Sequence, residues 1–219
     1  FPGRARWQEV HVWDKHGKLV FEDAVPGLFM LNGVAIDSAR NLYVMATGNR
    51  TIDNQPYPGV FADTLMKFRP AKGRVLCAGG ADIPLADELK PKRSPDMTRG
   101  WYGGSKAWAE GAEWLFGGVG IDGYNGGSFT GRICGCLNSR FTLDLFSRSF
   151  APEVYRYSVA VVDANGNLIT RIGRYGNADD GKPLMKTEDG KGKTEEAGSV
   201  VQALPNTRPL GGDEVGLFH

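Results

Sequence analysis

The amino-acid sequence predicts an all-β protein, and three observations support that fold class. An apolar stretch, a short polar turn that usually begins with Asp and a second apolar stretch recur along the chain. Glycine is abundant, with 31 residues in 219, as expected of a chain rich in tight turns. The dipeptide Asn165-Gly166 adds a local hairpin signal, because Asn and Gly tolerate the positive φ angles of a tight turn.

The repeated unit is clearest at Val159–Ile169, where Asp163 begins the turn. Other copies cover residues 10–20, 34–44 and 141–144, with turns that begin at Asp14, Asp37 and Asp144. A looser copy joins 65–68 to 74–77 through the turn Arg69–Gly73. Asp at the start of a turn bonds its own backbone amides, so we interpret these four carboxylates as turn formers rather than as a catalytic group.

Two of these strand pairs resemble parts of an NHL-repeat propeller blade. Residues 33–44, Gly-Val-Ala-Ile-Asp through Asn-Leu-Tyr-Val, resemble the first hairpin of such a blade. Residues 159–173 resemble the second hairpin, at the Asn-Gly turn and at the closing Arg171-Ile172-Gly173. The resemblance covers about half of the chain and implies a β-propeller of NHL-like blades with long loop insertions on one face.

This register divides the chain, taken as a single partial propeller over residues 1–219, into about two and a half blades, whereas closed propellers have about four to eight. We therefore expect a fragment, or a ring completed by other segments of the precursor or by other chains; a start at Phe1 instead of Met agrees with this. The divisions are a half blade at 10–25, a blade at 31–80, a loop insertion at 81–132, a blade at 133–177, a polar loop at 178–210 and the start of a further blade at 211–219.

Charge and hydropathy give no support to a nucleic-acid partner or to a membrane span. The net charge is +1, which gives no global field favouring nucleic acid. The sequence contains no run of 18 apolar residues, the length that would suggest a membrane-spanning helix. Asn49-Arg50-Thr51 matches a glycosylation sequon. These features leave the compartment open, and a secreted or periplasmic location is favoured.

The phase of the repeat predicts two unlike faces. Turns within hairpins are short and share one face, whereas the links at 46–63, 81–132 and 178–210 are long and share the other. Because loops on a rigid scaffold are where binding concentrates, we expect the function at the long links. The alternative is that these loops only cover the scaffold.

Aromatic residues are concentrated in the first insertion and are the candidate binding residues. They are Trp101, Tyr102, Trp108, Trp114 and Tyr124. Exposed, they would stack on sugars or anchor a partner protein, and buried, they would form a small core of the insertion. The sequence leaves both alternatives open.

The cysteines and histidines give little support to a metal site. Cys134 and Cys136 are separated by one residue, whereas structural zinc motifs favour two to four, and no second pair follows. Cys77 and the three histidines are scattered. No phosphate-loop, nucleophile-elbow or zinc-protease motif occurs, so neither a metal nor another cofactor is expected.

The sequence therefore favours a binding or scaffold module, more readily than an enzyme, that belongs to a larger assembly with a protein or glycan partner. The resemblance also implies an enzymatic alternative, a metal-dependent lactonase or lyase with its site at the ring axis. Residues near inner-strand or linker positions are Glu9, Asn32, Asn138 and Asp213, none of them in a matching motif. A third alternative, an RNA-binding propeller, rests on the run 90–93, which acidic residues flank.

Overall fold

The computed structural model describes residues 9–28, 31–57, 62–78, 85–99, 105–120 and 140–173, which form fifteen strands. The strands are β1 Val12–Trp13, β2 Leu19–Phe21, β3 Leu31–Ile36, β4 Leu42–Thr47, β5 Asn49–Ile52, β6 Gln55–Tyr57, β7 Asp63–Phe68, β8 Arg74–Ala78, β9 Met97–Arg99, β10 Ser105–Glu110, β11 Ala112–Val119, β12 Thr142–Leu143, β13 Ser149–Glu153, β14 Ser158–Val162 and β15 Leu168–Ile172. Two short 3-10 helices, Asp87–Leu89 and Val154–Arg156, complete the elements. Within these ranges no α-helix occurs and no helix has the length and apolarity to cross a membrane. The predicted all-β class is confirmed.

The strands form four antiparallel sheets. The central sheet has the order β3-β4-β7-β11, and the C-terminal sheet has the order β12-β13-β14-β15. A third, five-stranded sheet has the order β6-β5-β9-β10-β8, and β1 pairs with β2 in an N-terminal hairpin. Among the described residues none of these sheets closes on itself.

The central sheet is the middle layer, and its two inner strands are buried on both faces. Every residue of β4 and of β7 is buried. Leu42, Val44 and Ala46 of β4 pack in the core shared with the five-stranded sheet and the N-terminal hairpin, whereas Tyr43 and Met45 pack in the core shared with the C-terminal sheet. The alternation of β4 side chains thus supplies both cores.

The looser repeat at 65–77 does not form the predicted hairpin. Strand β7 pairs with β4 and β11, whereas β8 pairs with β10 in the five-stranded sheet. The reason is that the chain changes sheet twice. Residues 69–73 lead from β7 of the central sheet to β8 of the five-stranded sheet, and Gly111 leads back from β10 to β11. Gly111 has φ +73°, and a Cβ there would lie 2.2 Å from the Lys72 carbonyl oxygen, so this corner requires glycine.

Two segments predicted as long links contain strands. Residues 49–57, inside the link 46–63, form the paired strands β5 and β6. Strands β9, β10 and β11 lie inside the predicted insertion 81–132, and β11 supplies the fourth strand of the central sheet. The predicted loop at 178–210 and the segment 211–219 lie outside the described residues.

The central and C-terminal sheets have two distinct ends. The turn end carries the turns that follow β3, β12 and β14, and also the turn 69–73. The link end is opposite, where Thr47 pairs with Asp63 and Glu153 pairs with Ser158. The two sheets are joined at this end by the Gly120 amide, which donates to the Pro152 carbonyl at 2.6 Å.

Candidate functional site

The four Asp turns have one common geometry. In each turn the Asp amide donates to the carbonyl of the residue four positions later. The fourth residue of the turn, three positions after Asp, donates its amide to the Asp carbonyl. That fourth residue has positive φ in all four copies, at Gly17, Arg40, Ser147 and Gly166. This is the geometry of a three-residue hairpin loop with a left-handed residue before the second strand.

The Asp carboxylates are part of these turns, as the sequence predicts. Oδ1 of Asp163 accepts hydrogen bonds from the amides of Asn165 and Asn167, both at 2.8 Å. Asp14 and Asp144 accept from the equivalent amides, and Asp37 accepts from that of Asn41. The Asn167 side chain, followed by these amides, lowers the pKa of Asp163 below its usual value. The carboxylates therefore serve folding of the turns.

The Asp163 turn also holds the C-terminal sheet against the central sheet, at the turn end. The Ala164 carbonyl accepts from Lys67 Nζ and from Trp114 Nε1, both at 3.0 Å. Lys67 also pairs with Glu113 at 3.1 Å and lies over the Tyr43 ring. Burial raises the pKa of the Tyr43 hydroxyl strongly, and neighbouring Asp37 adds to the effect. This group of side chains therefore has a structural role at the turn end.

The described aromatic candidates have partners inside the protein. Trp108 is 3% exposed, and its Nε1 donates to the Arg93 carbonyl at 3.0 Å. Trp114 is partly buried and meets Tyr43 edge-on, with 5.7 Å between ring centroids. Trp108 is bonded to a residue of the insertion 81–132, whereas the partners of Trp114, Tyr43 and Ala164, lie outside it. Trp101, Tyr102 and Tyr124 lie outside the described residues.

The basic run at 90–93 is partly neutralised. Lys90 forms an ion pair with Asp87, and Arg93 donates to Asp96 Oδ1 at 2.7 Å. The hydrogen bond from Arg93 to Asp96 raises the pKa of the guanidinium. A run paired in this way offers less positive charge to phosphates than its sequence suggests.

A buried carboxylate joins three strands at the link end. Asp63 is fully buried, Asn32 Nδ2 donates to its Oδ2 at 2.7 Å, and Thr47 Oγ1 donates to its Oδ1 at 3.3 Å. Asp63 is the first residue of β7, Asn32 lies near the start of β3, and Thr47 is the last residue of β4. The group fixes the spacing of the strand ends, because a buried carboxylate needs donors on both oxygens.

A second buried carboxylate at the link end holds two arginines. Glu153 is 1% exposed, and Arg171 donates to it from Nε at 2.6 Å and from Nη2 at 3.0 Å. Ser158 Oγ donates to Glu153 Oε2 at 2.9 Å, and Arg156 Nε lies 3.6 Å from Oε1. The hydrogen bonds from Arg171 to Glu153 raise the pKa of Arg171.

Arg156 extends this group to the neighbouring hairpin. Its Nη2 donates to the Tyr57 hydroxyl of β6 at 2.7 Å. The Arg156 and Arg171 side chains are 44% and 35% exposed, so each is partly accessible to solvent. We call Tyr57, Glu153, Arg156, Ser158 and Arg171 the link-end cluster. It combines a buried carboxylate with two partly exposed arginine side chains.

A cavity of about 320 Å³ lies at the other end, beside the turn 69–73. Four charged side chains line it, Asp23, Lys72, Arg74 and Glu110, together with Pro26, Ala71, Gly73 and Gly111. Two of these lining side chains form an ion pair, with 2.6 Å between Arg74 Nε and Glu110 Oε2. The charges at its border thus partly neutralise one another.

The remaining sequence candidates separate into those described and those not. Asn49 of the sequon is buried, and its side-chain oxygen accepts from the Ala62 amide, so it is withdrawn from the surface where a glycan attaches. Cys77 is buried, and Glu9 pairs with His11 at 3.2 Å. The described ranges contain no group of three His, Cys, Asp or Glu residues placed to hold a metal. Cys134, Cys136, Asn138 and Asp213 lie outside those ranges.

The sequence did not identify the link-end cluster as a site. Tyr57 and Arg156 are 99 residues apart, and Arg171 belongs to the sequence pattern only through the closing Arg-Ile-Gly. The sequence does contain one signal for the cluster. Glu153 and Arg156 lie between two apolar stretches, where a buried charge needs a partner. Comparison with known proteins identifies no relative, since no family model, curated protein or solved structure matches the chain.

Proposed function

We propose that the chain is a binding module built on propeller-like blades, and that it binds a protein partner through its link end. The blade proposal is supported by the stacking of the central and C-terminal sheets. Both are four-stranded and antiparallel, both place their strands in chain order, and their Asp turns lie at the same end. Consecutive propeller blades have this relation.

The observation that carries the binding proposal is the half-exposed pair of arginines held by buried Glu153. Arg and Tyr are the residue types enriched among side chains that dominate binding energy, and Arg156, Arg171 and Tyr57 lie together here. Their positions are fixed by hydrogen bonds before a partner arrives, which reduces the entropy lost on binding. Planar guanidinium groups favour carboxylates, so the expected partner surface is acidic.

The arrangement of the chain supports the same end. Strands β5 and β6, within the link 46–63, bring Tyr57 to Arg156. The ends of β7 and β11 that meet at Asp63 and Val119 lie here too. At the turn end, by contrast, the Asp turns use their polar groups in their own hydrogen bonds.

The test compares two variants of the tagged chain. Proteins captured by it after cross-linking in cells of its own organism are identified, purified and titrated with the chain. The variant Y57A/R156A should weaken the dissociation constant at least about 30-fold, the effect of losing one residue of the dominant class. The control R69A removes one arginine that is 71% exposed at the turn end and should change it less than about twofold.

Equal affinities for Y57A/R156A and R69A would refute the proposal. A complex lost only in R69A would place the binding surface at the turn end instead. Circular dichroism of both variants shows whether the fold is retained before the titrations are compared.

A further inference from the structure

The basic run at 90–93 lies in an irregular segment between the short helix Asp87–Leu89 and strand β9. Residues 92–94 are exposed. Among the described residues, none forms a backbone–backbone hydrogen bond with 91–95. Exposed segments of this kind are preferred sites of proteolytic cleavage, because their backbone is free to enter a protease cleft. The run therefore offers three basic side chains as candidate cleavage positions.

The backbone before Lys92 already has an extended conformation. Lys90 has φ −73° and ψ 131°. The ring of Pro91 holds its φ at about −65° and also disfavours a helical conformation of the residue before it. A protease cleft binds its substrate as an extended strand, so this stretch loses little further freedom on binding.

The bonds after Lys90 and Lys92 differ in accessibility. Lys90 precedes Pro91, whose ring and missing N–H obstruct cleavage of the bond between them. Lys92 is followed by Arg93 and is exposed, and within the described part of the chain its side chain has no hydrogen-bond or ion-pair partner. The Lys92 ammonium group is thus free to enter an acidic pocket.

The bond after Arg93 is protected by two contacts. The Arg93 carbonyl accepts from Trp108 Nε1 at 3.0 Å, and the Arg93 guanidinium donates to Asp96 Oδ1 at 2.7 Å. A serine protease needs both groups, because it places the carbonyl before the cleaved bond in its oxyanion hole and the side chain in its S1 pocket. Cleavage after Arg93 therefore requires both contacts to break first.

We infer that the Lys92–Arg93 bond is a cleavage site for a trypsin-like serine endoprotease, whose acidic S1 pocket binds the Lys92 ammonium group. Water adds across the peptide bond, which leaves a carboxylate on Lys92 and an α-ammonium group on Arg93. The site does not depend on the function proposed for the link-end cluster.

The two fragments, 1–92 and 93–219, should stay together after cleavage. Strand β7 of the first fragment pairs with β11 of the second, and β8 pairs with β10. Strand β5 pairs with β9, which directly follows the cleaved segment. Cleavage therefore gives a nicked protein rather than two separate chains.

Other exposed basic residues lie in closed turns and serve as internal controls. The turns of Lys15, Arg40 and Lys72 each contain a backbone hydrogen bond, from Gly17 to Asp14, from Arg40 to Asp37 and from Lys72 to Arg69. Such a turn must open before it fits a protease cleft as an extended strand. We therefore expect these three residues to be cleaved more slowly than Lys92.

The experiment treats the folded 219-residue chain with a low concentration of trypsin and follows each cleavage by mass spectrometry. Lys92–Arg93 should be cleaved at least about tenfold faster than Arg93–Ser94 and than the bonds after the three control residues. The variant K92Q should slow cleavage of this bond at least about 100-fold, and the matched variant K15Q should change it less than about twofold. On size exclusion the two fragments should elute together.

Four results would overturn the inference. They are a Lys92–Arg93 bond that stays intact while the chain is folded, earlier cleavage at Arg93–Ser94, cleavage after Lys15 or Lys72 at the same rate, and equal rates for K92Q and wild type. Fragments that elute separately would contradict the retention of the fold after cleavage.

Discussion

The substitution Glu153→Ala removes the carboxylate that holds the link-end cluster together. It leaves Arg171 without its two hydrogen bonds and Arg156 without its ion pair. Removing one partner of a buried ion pair costs about 3–5 kcal/mol. Because the two arginine side chains are 44% and 35% exposed, water replaces part of the loss, and we expect the lower value, about 3 kcal/mol. For a chain of this size that corresponds to a fall in Tm of about 6–12 °C.

Differential scanning calorimetry of wild type, Glu153→Ala and Glu110→Ala measures this effect. Glu110 is the matched control, because its partner Arg74 is 44% exposed and the pair lies at the surface. Loss of an exposed pair costs about 0–1 kcal/mol, so its Tm should fall by less than about 4 °C. Equal changes in Tm for the two variants would refute the structural role assigned to Glu153.

Three further predictions concern the turns and the aromatic residues. Gly166→Ala places a Cβ at φ +86° and 2.6 Å from the Trp114 side chain, so we expect a loss of about 2–3 kcal/mol in urea unfolding, and an unchanged midpoint would contradict the contact. Trp108→Phe removes a buried indole N–H that satisfies a main-chain carbonyl and should cost about 1–3 kcal/mol, whereas Trp13→Phe, at 54% exposure, should cost less than about 0.5 kcal/mol. The pKa of Asp163 is lowered in the folded state, so its stabilising contribution is complete above its unfolded pKa of about 3.9 and is lost as the pH falls through its folded pKa. The difference in unfolding free energy between wild type and Asp163→Asn should therefore be constant above about pH 5 and narrow below about pH 4 at fixed ionic strength; a difference constant at all pH values would contradict the carboxylate's role.

The Asp turns could be predicted from the sequence because their causes are local. Asp at the first position and a residue that accepts positive φ at the fourth lie within five consecutive residues, as at Asp163 and Gly166. The hydrogen bonds of the turn depend on no distant part of the chain. The all-β class follows from the same repetition.

The partners of β8 and of β11 could not be predicted in the same way. Strand β8 pairs with β10, and β11 pairs with β7. A turn between two apolar stretches normally joins neighbouring strands, and 69–73 has the same appearance in the sequence. Here the sheet changes because Gly111 lets β10 and β11 turn a corner beside Lys72. That contact is between residues about forty positions apart and leaves no local pattern.

The link-end cluster could not be predicted from the sequence for a related reason. The aromatic residues stood out in the sequence, yet Trp108 and Trp114 donate to carbonyls within the protein. The sequence does not distinguish a buried aromatic side chain from an exposed one. Tyr57 and Arg156 meet only when β6 is brought beside the C-terminal sheet, which no spacing in the chain reveals.

Hydrogen–deuterium exchange on the reconstituted partner complex tests the central claim most directly. If the chain binds through its link end, amide protection on complex formation should appear at 55–57, 153–158 and 171–173, around the link-end cluster. The turns at 37–41 and 163–167 should exchange as in the free chain. Protection confined to those turns, with no change around Tyr57 and Arg156, would contradict the account.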